Sequence, residues 1–268
     1  MIKVGCLHPL SPDIESFIES VNEFRLDTID FLRRAFSSTD PTYLRHIKML
    51  CLKHGLPVGY LGVSGGFVGP DDEVRARVDT AKETVNVAVF MGAPLVRLFG
   101  GSYRPGTENL EPLWPNMIAS HQEIADYALE KGVIVALQNH DNNNLAATSE
   151  DVLRILREVD RPNFSFIMDT GQWRGSIGAS PKGKPDPDTD IYAYMEETVS
   201  HAVCVRTKIY RIDSGVEKWL DYDRIIQILK GAGYNGNLSI AYEGQGDPLV
   251  DIGKAVAYLR RLLAENGM

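Results

Sequence analysis

At 268 residues the chain is long for one small domain and short for two full ones, whereas one α/β barrel of this size is routine. Lys plus Arg total 28 and Asp plus Glu 36, and the resulting net charge of −8 argues against a non-specific grip on a nucleic-acid backbone. No apolar run approaches the roughly 18 residues that span a bilayer, no signal-peptide pattern opens the chain, and Cys6, Cys51 and Cys204 lack C-x-x-C spacing and read as reduced thiols, so a cytoplasmic protein without membrane or nucleic-acid partners is expected.

Short apolar runs occupy residues 2–7, 27–31, 56–62, 94–99, 133–138, 164–169, 203–209 and 238–243. Each has strand length, and they recur about every 25 to 40 residues, the period of a strand–helix unit. Helix punctuation fills the gaps. Ser11-Pro12 and Asp40-Pro41 each set a cap residue before a first-turn proline. Long helical patterns cover 71–91 and 113–131, Thr148-x-x-Asp151 is a capping box, and a last helix covers 248–266. Gly55, Gly92, Gly132, Gly233 and Gly267 suit left-handed positions after helices. Eight strands and eight helices predict an α/β protein with a single (β/α)8 TIM barrel domain over residues 1–268. A doubly wound nucleotide-binding sheet needs Gly-x-Gly-x-x-Gly after its first strand, and Gly5-Cys6-Leu7-His8-Pro9 does not supply it. The irregular segments 100–109, 173–189 and 211–219 follow strands four, six and seven, on the face where barrel active sites form. The segment 173–189 reads as a lid or as a disordered loop.

Barrel strands point alternate residues inward, and a buried carboxylate needs a partner or a metal. The fifth strand brings Gln138 and His140 to one face; the sixth delivers Asp169 and, past a turn, Gln172; the seventh carries Arg206 and Lys208; the eighth ends in Glu243. His8 ends the first strand and is a candidate to line the pocket. Trp173 and Phe99 are candidates to stack on a sugar face. Arg97, Arg104, Arg174, Arg206, Lys208 and Arg211 fall at or just past strand ends. They point to an anionic substrate, a carboxylate or phosphate held by guanidinium forks, or else to ordinary pairing with Glu108, Glu111 or Asp213.

The runs Ala-Leu-Gln-Asn-His at 136–140, Met-Asp-Thr-Gly-Gln-Trp at 168–173 and Val-Arg-Thr-Lys-Ile-Tyr at 205–210, with the segments 221–226 and 233–244, resemble the sugar phosphate isomerase/epimerase family of xylose isomerase-like TIM barrels. In that family a Glu, an Asp, a His and a Glu on strands five to eight hold one divalent metal, and the two glutamates shuttle protons. Asp169 and Glu243 match this pattern. Gln138 stands in place of the first Glu, Arg206 or a neighbour in place of the His, and Gln172 in place of a substrate-contacting His. The resemblance therefore implies either a weak Mn²⁺ or Mg²⁺ site from Asp169, Glu243, Gln138 and His140, or Arg206 and Lys208 in the ion's charge-stabilising role. No organic cofactor is expected.

The function expected is a sugar, sugar-acid or polyol-ketone isomerase or epimerase. Glu243 would abstract a proton next to the carbonyl to give an enediolate, with Lys208 as acid or enolate partner and His8, Arg97, Gln138, His140, Gln172, Trp173 and Arg206 around the substrate. A lyase or dehydratase using the same enolate is the alternative. A DNA repair endonuclease on this barrel calls for more His, Asp and Glu at strand ends, and a non-catalytic sugar-binding barrel is the third reading. A homo-oligomer fits the resemblance.

Overall fold

Alternation along the strands sorts the side chains into two layers. In a computed structural model, which describes residues 2–141, 143–178 and 185–268, eight parallel strands close into a barrel in chain order. They are β1 (Lys3–Leu7), β2 (Thr28–Leu32), β3 (Val58–Gly62), β4 (Leu95–Phe99), β5 (Ile134–Gln138), β6 (Phe164–Asp169), β7 (Ala202–Ile209) and β8 (Asn237–Tyr242), and β8 pairs back to β1. Leu7, Leu32, Tyr60, Leu95, Ala136, Ile167 and Cys204 meet inside the barrel. Strand neighbours of opposite parity, such as Cys6, Ile29, Val96, Val135 and Phe166, join the core beneath the helices.

The helices are α1 (Ile14–Ser20), α2 (Pro41–Lys53), α3 (Asp71–Met91), α4 (Trp114–Leu129), α5 (Ser149–Val159), α6 (Ile191–Thr198), α7 (Tyr222–Gly231) and α8 (Pro248–Glu265). Their starts follow the cap chemistry. Asp40 accepts from the Thr42 N–H at 2.8 Å with Pro41 in the first turn, and Thr148 and Asp151 form the reciprocal box on α5. Ser11 is not a cap: α1 begins at Ile14, which puts Asp13 at the capping position, accepting from the Ser16 N–H at 2.9 Å. The five glycines expected after helices all adopt left-handed backbone, with φ from +64° to +80°. All three cysteines are buried and free. No described helix is long and apolar enough to cross a membrane.

Since every helix follows its strand, the helix starts and the carboxyl ends of the strands share one end of the barrel. Part of the expected lid segment, residues 179–184, and residue 142 lie outside the described residues. The segment 211–219 is ordered around one carboxylate: Glu217 accepts from the N–H groups of Tyr210, Arg211 and Trp219 at 2.8 to 3.0 Å.

Candidate active site

Asp169, the last residue of β6, is fully buried, so its charge needs partners. Oδ1 accepts from the Gly171 N–H at 3.0 Å. Oδ2 accepts from Gln138 Nε2 at 3.1 Å and faces Arg206 Nη1 and Lys208 Nζ, each at 3.5 Å. Gln138 Oε1 in turn accepts from Arg206 Nη1 at 2.8 Å. The amide thus bridges a carboxylate and a guanidinium with its two ends; a second carboxylate in its place would face Asp169 with like charge.

Lys208, 1 % exposed, joins this cluster to Glu243. Its Nζ lies 2.5 Å from Glu243 Oε1. Glu243 follows β8 directly, and its N–H donates to the Ile209 carbonyl at 2.8 Å, which fixes it beside the end of β7. Its side chain is 25 % exposed, yet Oε2 is a buried atom with no hydrogen-bond partner. Three residues hold the strand ends in place. Thr170 Oγ1 accepts from the Lys208 N–H at 3.0 Å, and the Tyr222 hydroxyl donates to the Lys208 carbonyl at 2.7 Å. Asn139 locks β5 to β6: its Nδ2 donates to the Asp169 and Gln172 carbonyls at 3.0 Å each, and its Oδ1 accepts from the Asp169 N–H at 2.7 Å.

Above the cluster opens a cavity of about 370 Å³, within the size range of small-ligand sites. Glu243, Lys208, Arg206, His140 and Gln172 line it, with His8 from the end of β1 and Arg97 from β4. His140 meets Phe99 edge-on with ring centroids 5.1 Å apart. Burial pushes its imidazole down to about 4, against the pull of Asp169, so it is neutral at physiological pH. His8 is likewise lowered by burial, and its Nε2 lies 2.7 Å from the Pro12 carbonyl oxygen. Arg97 is 2 % exposed. Burial, with Arg206 nearby, pushes its guanidinium down to about 9, and it lies over the Phe99 ring at 4.0 Å.

Two candidates are placed elsewhere. Trp173 does not line the cavity. It is fully buried in the core against Phe166 and Tyr194, because the turn after β6 rotates its side chain away from the barrel axis. Gln138 lies beneath the cavity rather than on its wall, held by Asp169 and Arg206. Of the outlying cations, Arg174 and Arg211 are exposed and pair with Asp151 at 3.8 Å and Asp213 at 3.1 Å, and Arg104 is exposed. Several residues went unremarked in the sequence. Asn139 faces out between two inward residues, Arg34 reaches the cavity from the turn after β2, and Asp141 is pushed up to about 6, first by burial. A polar residue at the outward position of an otherwise apolar strand end was the available signal for Asn139; nothing in the pattern marks Arg34.

The space between Asp169 and Glu243 is occupied by the Lys208 ammonium, and Arg206 faces Asp169 as well. No group of three or more His, Cys, Asp or Glu among the described residues is arranged to hold a metal. Asp169, Glu243, Gln138 and His140 in this arrangement do not fit a divalent cation, because a dication bound to both carboxylates would be pressed against two fixed positive charges.

The sequence profile of the xylose isomerase-like TIM barrel family matches residues 18–262. The chain belongs to this family. Ketose 3-epimerase of Arthrobacter globiformis is 25% identical over 286 residues, spanning 99% of this chain and 92% of that protein. Among solved structures, an L-ribulose 3-epimerase superposes with a TM-score of 0.79 at 17% identity, covering 99% of this chain and 95% of that one. D-Psicose 3-epimerase from Clostridium cellulolyticum H10, solved with D-tagatose, gives 0.76 at 15% identity, covering 97% and 98%. At these identities the structural likeness establishes the fold. The isomerase expected from the sequence agrees with what these family members are named for.

Proposed function

We propose that the protein is a sugar isomerase or epimerase that moves a proton at a carbon next to a carbonyl, with Glu243 as the base and Lys208 as the cationic partner of the substrate oxygen. The observation that carries this reading is the Glu243 carboxylate itself. One oxygen is held by Lys208, and the other is buried beside the cavity with no partner of its own. That is the arrangement of a base awaiting a proton.

In the step proposed, Glu243 takes the proton from carbon and the electron pair of the C–H bond becomes the enediolate double bond. The charge that develops on the former carbonyl oxygen is met by the Lys208 ammonium, already in place and shielded from water. Asp169, with Gln138 and Arg206 behind it, keeps Lys208 aimed. The proton on Glu243, whose side chain is 25 % exposed, exchanges with solvent before one returns to carbon. Gln138 cannot take a proton near neutral pH, so a single carboxylate serves both half-reactions. Return to the former carbonyl carbon, with the hydroxyl proton passing from the oxygen of the deprotonated carbon to the former carbonyl oxygen, gives isomerisation; return to the opposite face of a rotated enediolate gives epimerisation. The named activity of the Arthrobacter globiformis relative supports a ketose as the substrate.

The test is exchange with solvent. In D2O, with a panel of ketoses, the protein should incorporate deuterium at the carbon next to the carbonyl. Glu243→Gln should slow this on the order of 10² to 10⁴-fold. Exchange that persists unchanged in Glu243→Gln overturns the reading. A product with a new double bond would turn it toward the lyase alternative.

A further inference from the structure

The cavity wall carries more positive charge than its acids balance. Arg34, Arg97, Arg206 and Lys208 border it, against Glu243 on the wall and Asp169 beneath. Arg206 and Lys208 are matched by Asp169 and Glu243. Arg97 and Arg34 are not: neither forms a salt bridge among the described residues. Arg97 Nε and Nη1 are buried without an acceptor. The fold makes room for this side chain on purpose, since a Cβ at residue 62 would sit 2.5 Å from Arg97 Nη2 and only glycine lets the guanidinium lie across β3. Burial first, and then the nearby charges of Arg206 and Arg34, lower the proton affinity of Arg97. A buried, unpaired guanidinium is costly in a free protein. The cost has a purpose if a ligand brings the missing acceptor, since guanidinium donors match carboxylate and phosphate oxygens in geometry and charge.

We propose that the substrate is an anionic sugar, a ketose whose chain end bears a carboxylate or phosphate, and that Arg97 with Arg34 at the rim holds that group while the carbonyl end meets Lys208 and Glu243. The inference rests on the sugar reading above and deepens it. It separates one pole of the cavity, where binding energy is collected, from the other, where the proton moves. In a chain of net charge −8, the surplus of cations at this one mouth also attracts an anion from solution.

Calorimetric titration with three unreactive probes of equal chain length, D-glucitol, D-gluconate and D-glucitol 6-phosphate, tests it without depending on turnover. At least one anion should bind roughly 10- to 100-fold tighter than glucitol, the worth of a hydrogen bond to a charged group, and the tighter of the two identifies carboxylate or phosphate as the natural group. Arg97→Met and, independently, the exposed-site variant Arg34→Gln should each remove most of that preference, lowering the affinity for the anion far more than that for glucitol. Equal affinity for all three probes, or no binding of either anion at millimolar concentration, overturns the proposal. So does an anion preference that survives both substitutions. If anion binding follows the prediction while Glu243→Gln leaves proton exchange intact, the anion site stands and the proton-transfer reading falls.

Discussion

Lys208 ties together the two carboxylates at the barrel mouth. It is 1 % exposed and lies between two carboxylates, one of them fully buried. Removing a buried charge strands its partners, at about 3–5 kcal/mol. Lys208→Met should therefore lower stability by about that amount in urea titration and abolish solvent exchange at substrate carbon; a variant as stable as the parent would mean that the Asp169–Lys208 contact contributes nothing. Arg97→Met should show the opposite balance, with unfolding free energy unchanged or raised, because an unpaired buried charge is removed. These positions differ in how well the sequence announced them. Asp169, Lys208 and Glu243 sit at or beside strand ends, where alternation fixes direction, and the structure brings them together. Trp173 lies four residues past the end of β6, where alternation no longer applies, and it turned into the core. Gln138 does point inward as its parity required, but parity says nothing about depth, and two stronger partners hold it below the cavity.

At the scale of elements, the site depends on β5, β6 and β7 keeping their ends level. Asn139 does this between the first two, substituting side-chain amide bonds for the ladder where the strands diverge. Asn139→Ala leaves buried backbone groups unpaired and should cost about 2–3 kcal/mol, with a larger loss of kcat than of substrate affinity because Asp169 loses its anchor. Equal stability of the variant in thermal unfolding would show that the tether is dispensable. The element boundaries themselves were readable, since each strand run matched an observed strand to within two residues at its start or end. Local chemistry explains this: capping carboxylates, first-turn prolines and left-handed glycines act over three or four residues. The exception at α1 arose because Ser11 and Asp13 both suit a cap, and the helix began after the second. Arg34 escaped notice for the reverse reason, since a short turn after β2 has no periodicity to read.

For the whole molecule, the buried titratable groups make stability depend on pH in two opposed ways. His121 lies between the rings of Phe67 and Phe164, and burial pushes it down to about 4, as it does His140. Unfolded histidine binds its proton near the ordinary value of about 6.5. Below that pH the unfolded chain takes up protons that the folded one refuses, so this stabilisation is complete above about 6.5 and is lost as pH falls toward 4. Asp30 acts in the other direction. Burial pushes it up to about 7 despite hydrogen bonds from Ser239 and the Tyr60 N–H, so the stability it lends when protonated is lost as pH rises through about 7. Comparing the parent with His121→Gln isolates the histidine: their difference in unfolding free energy should shift by about 3 kcal/mol against the parent between pH 7 and 4, and a constant difference would show that His121 titrates normally. The barrel as a whole was legible because its closure repeats one pattern eight times; the charge plan of its mouth was not, since it depends on distances across the barrel between strands far apart in sequence. That plan, an internal ammonium between two carboxylates where the family resemblance leaves open either a metal or the Arg206 and Lys208 cations, is the claim on which the mechanism stands. Its most direct test is the rate of solvent deuterium exchange into a ketose before and after exhaustive dialysis against EDTA, with Mn²⁺ or Mg²⁺ then restored. The rate is predicted to stay the same throughout; a loss of tenfold or more that either ion reverses would contradict the account.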